Sequence, residues 1–327
     1  MNSENSGARP TVVVSRRWPA SVEKLLTERF DARFNAADAP LSSRDWLAAV
    51  RDADAICPTV TDRIGGDIIA AAGPRLRLIA NFGVGFEHID LAAARAHGLV
   101  VTNTTDVLTD ATADLAVALM LAVARRLVEG DAELRRGAWS GWRPTHMLGR
   151  QVSGKVLGLV GFGRIARAVA QRAQFGFGMR VQTYSPRLTD SGPAAPVGIC
   201  ASLEQLLASS DFVSLHCPAN ADTRHLINAA RLRQMKPEAF LINTARGAIV
   251  DEAALVDALK DGVIAGAGLD VYEREPEVAP GLVQLPNAVL LPHLGSATEE
   301  TRVAMGMRVL SNLDAFFGGG EPPDRIA

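Results

Sequence analysis

The chain of 327 residues, 48% hydrophobic and 21% charged, has the size and composition of a globular protein able to bury two cores. A formal net charge of −2 provides no basic field for nucleic acid or an anionic membrane surface, which leaves a small molecule as the expected partner. Cys57, Cys200 and Cys217 form neither a disulfide framework nor a zinc-ligand spacing, the start MNSENSGARP lacks a signal-peptide pattern, and the apolar run from Leu115 to Ala124 is too short for a bilayer, so a reduced, cytoplasmic location is expected.

From Thr11, short β-branched runs alternate with alanine-rich amphipathic stretches. TVVVS (11–15), ADAIC (53–57), LRLIA (76–80) and GLVVT (98–102) read as strands, and 21–30, 43–50, 63–72 and 90–97 as helices, an alternation that predicts βα units on a parallel sheet. A long helix is expected over 110–126, followed by an irregular segment, GAWSGWRPTHMLG. Six further strands follow: KVLGLVG (155–161), MRVQTYS (179–185), FVSLH (212–216), AFLINT (239–244), VIAGAGLD (263–270) and AVLLPH (288–293). The last helical pattern, 298–317, has no strand left to cover in this second set and is expected to cross back to the first. The fold class is therefore α/β, with two doubly wound parallel-sheet domains. Residues 1–105 begin a discontinuous substrate domain, 106–293 form an inserted dinucleotide-binding domain, and 294–327 return to the first, with the active site expected in the cleft between them. The glycine-rich end, GGGEPPD, is expected to fray.

The dinucleotide expectation rests on VLGLVGFGRIARA (156–168), a strand, a glycine turn and a helix in the order that a nucleotide-binding turn requires. Gly161 permits the turn and Gly163 lets a pyrophosphate approach the backbone, while the third glycine position, Ala166, serves only packing and tolerates alanine. The amides of Gly163, Arg164 and Ile165 are the expected anion donors at the helix start. Where a carboxylate would hold the ribose of NAD, the next strand ends instead in Ser185-Pro186-Arg187. Ser185 and Arg187 suit the 2′-phosphate of NADP, so NADPH is expected to be preferred with NAD possible; a solvated surface arginine is the alternative for Arg187.

NFGVGFEHID (81–90), MKPEAFLINTARGAIVDEAAL (235–255), GAGLDVYEREP (266–276) and LPHLGSAT (291–298) resemble the D-isomer-specific 2-hydroxyacid dehydrogenase family. Within it, VVVSRRWP (12–19) and VTNTTDVLTDATADLAVALMLAVARR (101–126) look most like glyoxylate and hydroxypyruvate reductases. The resemblance implies a Rossmann cofactor domain inserted in a flavodoxin-like substrate domain, and a 2-oxo or 2-hydroxy acid as substrate. It also implies roles. Arg246 would bind the substrate oxygens, His293 would act as acid and base, and Glu275 would pair with His293 and favour its protonated ring. Asp270 would contact the nicotinamide carboxamide. Thr112, Cys217, Pro218, Thr244 and Ala245 would line the cofactor, although Cys217 reads equally as a small buried residue. Val84 and Gly85 would offer main-chain amides to the substrate carboxylate.

Glu87, His88 and Asp90 invite a metal reading, but adjacent side chains diverge and Asp90 begins a helix, so capping and packing are expected and no metal. The apolar surface of 110–126 with Trp139 and Trp142 predicts a homodimer. Formate dehydrogenases of this superfamily carry glutamine in place of Glu275, which argues against that activity. Phosphoglycerate, phosphite and sugar-acid dehydrogenases remain alternatives, as does a cofactor-sensing scaffold resembling the corepressors that share the fold.

Overall fold

The computed structural model describes residues 8–190 and 197–327. They form two compact units, one running to Leu108 and resuming with Ala297–Ala327, the other spanning Thr109–Ser296.

The first unit runs β1 (Thr11–Val14), α1 (Ala20–Arg29), β2 (Asp31–Phe34), α2 (Ser43–Asp52), β3 (Ala55–Cys57), α3 (Gly66–Ala70), β4 (Leu78–Ala80), α4 (Leu91–Ala96) and β5 (Val100–Thr102). Its strands pair in parallel in the order β2-β1-β3-β4-β5, the flavodoxin-like arrangement. Because side chains alternate across a strand, each strand feeds two cores. Val12, Val14, Ala55, Cys57, Leu78 and Ala80 pack on one face, whereas Ile56, Ile79 and Val101 pack on the other with Trp46 and Val50. The strand β2 has no counterpart among the sequence-predicted ones. It is an edge strand in which Asp31 and Arg33 pair at 3.0 Å in solvent, so it carries little of the apolar signal that identifies a strand.

The second unit contains α5 (Thr109–Ala124), α6 (Leu127–Arg135), β6 (Val156–Val160), α7 (Arg164–Gln171), β7 (Arg180–Tyr184), β8 (Gly198–Ile199), α8 (Leu203–Ser209) and β9 (Phe212–Leu215). It continues with α9 (Ala229–Leu232), β10 (Phe240–Asn243), α10 (Glu252–Lys260), β11 (Gly266–Leu269), α11 (Pro280–Val283) and β12 (Ala288–Leu290). The strands pair in the order β12-β11-β10-β9-β6-β7-β8, a Rossmann sheet extended by one strand. Arg126, at φ 55°, ends the long helix, and α6, which had no counterpart among the expected elements, starts directly beyond it and precedes the irregular segment. The glycines of β11 let α5 lie close to the sheet: a Cβ on Gly266 would stand 2.9 Å from Val123, and one on Gly268 would stand 3.0 Å from Leu119.

The chain then returns to the first unit as α12 (Glu299–Phe317), started by the Thr298 side chain accepting the Thr301 amide. Met305, Val309, Leu310 and Leu313 join Val22, Leu26 and Leu78 in one core, and Gly306 gives Val22 room. The terminal segment does not fray as expected. Ile326 donates to the Val101 carbonyl at 2.8 Å, Val101 donates to Ala327 at 3.0 Å, and buried Asp324 receives Arg308 at 2.7 Å. These bonds satisfy backbone groups that an open edge at β5 would leave unpaired.

Candidate active site

The glycine turn follows β6. Gly161 has φ 90°, and a Cβ there would lie 2.8 Å from the His216 carbonyl oxygen, so both conformation and space require glycine. Gly163 starts α7, and a Cβ on it would meet nothing within 4 Å. That open space lies at the N-terminus of the helix, whose first two residues are Arg164 and Ile165 and whose dipole favours an anion. Ala166 is fully buried against the sheet, consistent with a packing role.

Ser185 follows β7 half-buried and Arg187 is exposed. After β9, the half-buried Cys217 has its thiol pushed up to about 11 by burial, so it is a neutral packing group at physiological pH. The preceding His216 is pushed down to about 4 by burial and contacts the Ser214 hydroxyl at 2.9 Å. Pro218 accepts the Thr223 hydroxyl at 2.6 Å. Beyond β10, the buried Thr244 hydroxyl has no partner among the described residues, and Ala245 follows it half-buried. The unpaired hydroxyl, the open helix start and the Gly161 turn together fit a bound dinucleotide.

The acid–base candidates meet in the same unit. His293 Nδ1 lies 2.7 Å from Glu275 Oε2, and the other carboxylate oxygen accepts the Tyr272 amide at 3.0 Å. Burial pushes the Glu275 carboxyl up, but the His293 hydrogen bond and charge, the Tyr272 amide and the Arg246 charge outweigh it and hold the group below its ordinary value. The histidine sits at φ 55°, a conformation held from several sides. Its amide donates to the Asp270 carbonyl at 2.9 Å, and the Asp270 carboxylate accepts the next two amides, Leu294 at 2.6 Å and Gly295 at 2.8 Å. From α5, the Thr112 hydroxyl donates to the Gly295 carbonyl at 2.9 Å. Asp270 and Thr112 thus fix the turn that carries His293. Burial raises the Asp270 carboxyl despite these amides.

Arg246 precedes a short 3-10 turn, Gly247–Ile249; its guanidinium donates to the Ala245 carbonyl at 2.7 Å, and its own carbonyl accepts from Asn243 at 2.9 Å. The neighbouring Gly247, to which sequence reasoning assigned no role, lies against Tyr272 so closely that a Cβ would stand 1.8 Å from the Tyr272 carbonyl carbon. Its place in the NTARG motif was the available signal.

Val84 and Gly85 lie in the loop after β4, in the first unit. Asp90 caps α4 by accepting the Ala93 amide at 2.9 Å, and His88 Nε2 contacts Asn81 at 2.9 Å. No group of three or more His, Cys, Asp or Glu able to hold a metal occurs among the described residues.

Residues 117–295 match the model of the NAD binding domain of the D-isomer specific 2-hydroxyacid dehydrogenases. The chain belongs to that family. It is 45% identical to a glyoxylate reductase of Thermococcus litoralis over 97% of either chain. A D-isomer specific 2-hydroxyacid dehydrogenase structure from Polaromonas superposes with a TM-score of 0.92 at 34% identity, covering 98% of this chain and all of that one. An NADPH-dependent glyoxylate/hydroxypyruvate reductase from Sinorhizobium meliloti, solved with NADP and malonate, gives 0.87 at 36% identity, with 98% and 97% covered. This chain is accordingly an oxidoreductase with a dinucleotide-binding domain. No helix among its described residues is long and apolar enough to cross a membrane.

Proposed function

We propose that the protein reduces small 2-oxo acids, glyoxylate and hydroxypyruvate foremost, to 2-hydroxy acids with a preference for NADPH, His293 giving the proton. The 2.7 Å contact between His293 and Glu275 carries this reading. A bound nicotinamide dinucleotide supplies the hydride that reaches the carbonyl carbon. The chain's own residues supply the rest. With Nδ1 facing Glu275, the Nε2 atom of His293 is the one left to protonate the developing alkoxide, and the carboxylate holds the ring in place for that transfer. In the reverse direction the same nitrogen takes the hydroxyl proton. Arg246 holds the substrate oxygens through its forked guanidinium, and the amides of Val84 and Gly85 receive the carboxylate.

The exposed Arg187 with Ser185 at the end of β7 supports NADPH, as does the solved relative that carries NADP. Trp142 at 81% exposure and Phe175 at 78%, with Trp139, Leu134 and Leu148 also exposed, support a homodimer through this part of the second unit.

A panel of 2-oxo acids assayed with NADPH and NADH tests the reading. Glyoxylate and hydroxypyruvate should turn over, and His293→Ala should lose about 10² to 10⁴ in rate while still binding NADPH. A protein that binds NADPH yet reduces no 2-oxo acid would instead be a cofactor-sensing scaffold, and preferred turnover of phosphoglycerate, phosphite or a sugar acid would reassign the substrate.

A further inference from the structure

Three consecutive carbonyls in the loop after β4 are all taken by buried groups. The side-chain nitrogen of Asn81, which is fully buried, donates to Gly83 at 2.9 Å and to Gly85 at 2.8 Å. That of Asn103, buried beside β5, donates to Val84 at 2.9 Å, and the Thr104 amide adds a second bond to Gly83 at 3.1 Å. The orientation of the Asn81 amide is itself set, because His88 Nε2 faces its oxygen at 2.9 Å and leaves the nitrogen for the carbonyls.

In a trans peptide the C=O of one residue and the N–H of the next point in opposite directions. With the carbonyls of Gly83, Val84 and Gly85 drawn inward, the amides of Val84, Gly85 and Phe86 turn away from the asparagines. None of these three amides donates to another group among the described residues. Successive free amides of this kind make a concavity for an anion.

We propose that Asn81 and Asn103 are positioning residues for the 2-oxo acid: they hold this loop with its amides presented to the substrate carboxylate. The inference rests on the reading that Val84 and Gly85 receive that carboxylate. Asn103 is tied in turn to the end of the chain, its amide donating to the Asp324 carbonyl at 3.3 Å and its carbonyl accepting from buried Asn312 at 3.4 Å.

The test uses the full-length protein with oxamate, an unreactive mimic of a 2-oxo acid. Asn81→Ala should raise the glyoxylate KM and the oxamate inhibition constant by the same factor, about tenfold or more for a misaligned charge-assisted hydrogen bond. Its kcat at saturating glyoxylate and its NADPH affinity should stay near wild type. A purely structural role would lower Tm without moving oxamate affinity in the folded protein, and that outcome overturns the proposal. If Asn81→Ala does not fold, Asn103→Ala, which releases only Val84, is judged by the same constants. A crystal structure with NADP and oxamate separates the two readings. A carboxylate away from residues 84–86 overturns the assignment of the substrate site. A carboxylate on those amides with oxamate affinity unchanged in the variants overturns the role of the asparagines alone.

Discussion

Gly247→Ala should damage stability and catalysis together. A Cβ at this position would stand 1.8 Å from the Tyr272 carbonyl carbon, 2.0 Å from its oxygen and 2.4 Å from the Glu273 nitrogen, where ordinary contact begins at 3.4 Å. Every obstructing atom is backbone, so no side chain can rotate aside, and the two segments must separate by well over 1 Å. Overpacking in a tight interior costs about 1 to 3 kcal/mol, and a main-chain clash of this depth belongs at the upper end or beyond. For a unit of this size about 3 kcal/mol corresponds to a fall in Tm of about 6 to 12 °C. The displaced segments carry Arg246 on one side and the Tyr272 amide that holds Glu275 on the other. A misplacement of about 1 Å in such a constellation is worth about 10² in rate. Thermal unfolding and steady-state kinetics on the purified variant measure both quantities. A variant with wild-type Tm and unchanged kcat/KM for glyoxylate would show that the backbone contact is not a constraint and would refute the reasoning.

Glu275 is held below its ordinary value, so the ionised carboxylate and its contribution to folding are fully present above the unfolded glutamate range and are lost as pH falls through the lowered native one. Glu275→Gln should therefore remove an acid-sensitive part of the stability, read by unfolding from pH 3 to 7, about the range around a free carboxyl. The same variant should lower kcat for glyoxylate, because a neutral amide replaces the carboxylate that holds the His293 ring at 2.7 Å; an unchanged kcat would dissociate the pair from the proton transfer. Arg187→Ala should raise the NADPH KM about tenfold and leave that for NADH little changed, a difference that narrows with added salt as an exposed charge contact is screened. Equal weakening of both cofactors would remove Arg187 from the 2′-phosphate. Trp142→Ala should weaken the homodimer in sedimentation at micromolar protein, and a wild type that already sediments as a monomer would refute that assembly.

Most strands of both sheets were legible in the sequence, and so were His293 and Glu275 as candidates that the fold brings into contact, because both depend on local pattern. Apolar β-branched runs identify strands buried on two faces, and the glycine turn, NTARG, the EP dipeptide and the PH dipeptide each keep candidate residues within a few positions of a recognisable element. Apolar burial cannot report an edge, and so β2, where charged Asp31 and Arg33 alternate outward, was silent. Composition also misled at the terminus: glycine and proline suggest fraying, but order there comes from backbone pairing with β5, more than 200 residues earlier in the chain. The end of the long helix near Arg126 was legible, but the second helix that starts directly beyond it, α6, follows from a left-handed backbone at that arginine which no residue preference announces. Sequence could name His293 and Glu275 but not bring them to 2.7 Å, since that distance depends on the turn clamped by Asp270 and Thr112 across the fold. Gly247 closes the NTARG motif and Asn81 opens NFGVGFEHID, but neither motif, nor any pattern around Asn103, states what these residues contact. What each of them does is set by a carbonyl or a peptide plane brought close by tertiary packing, and only the folded chain could reveal it.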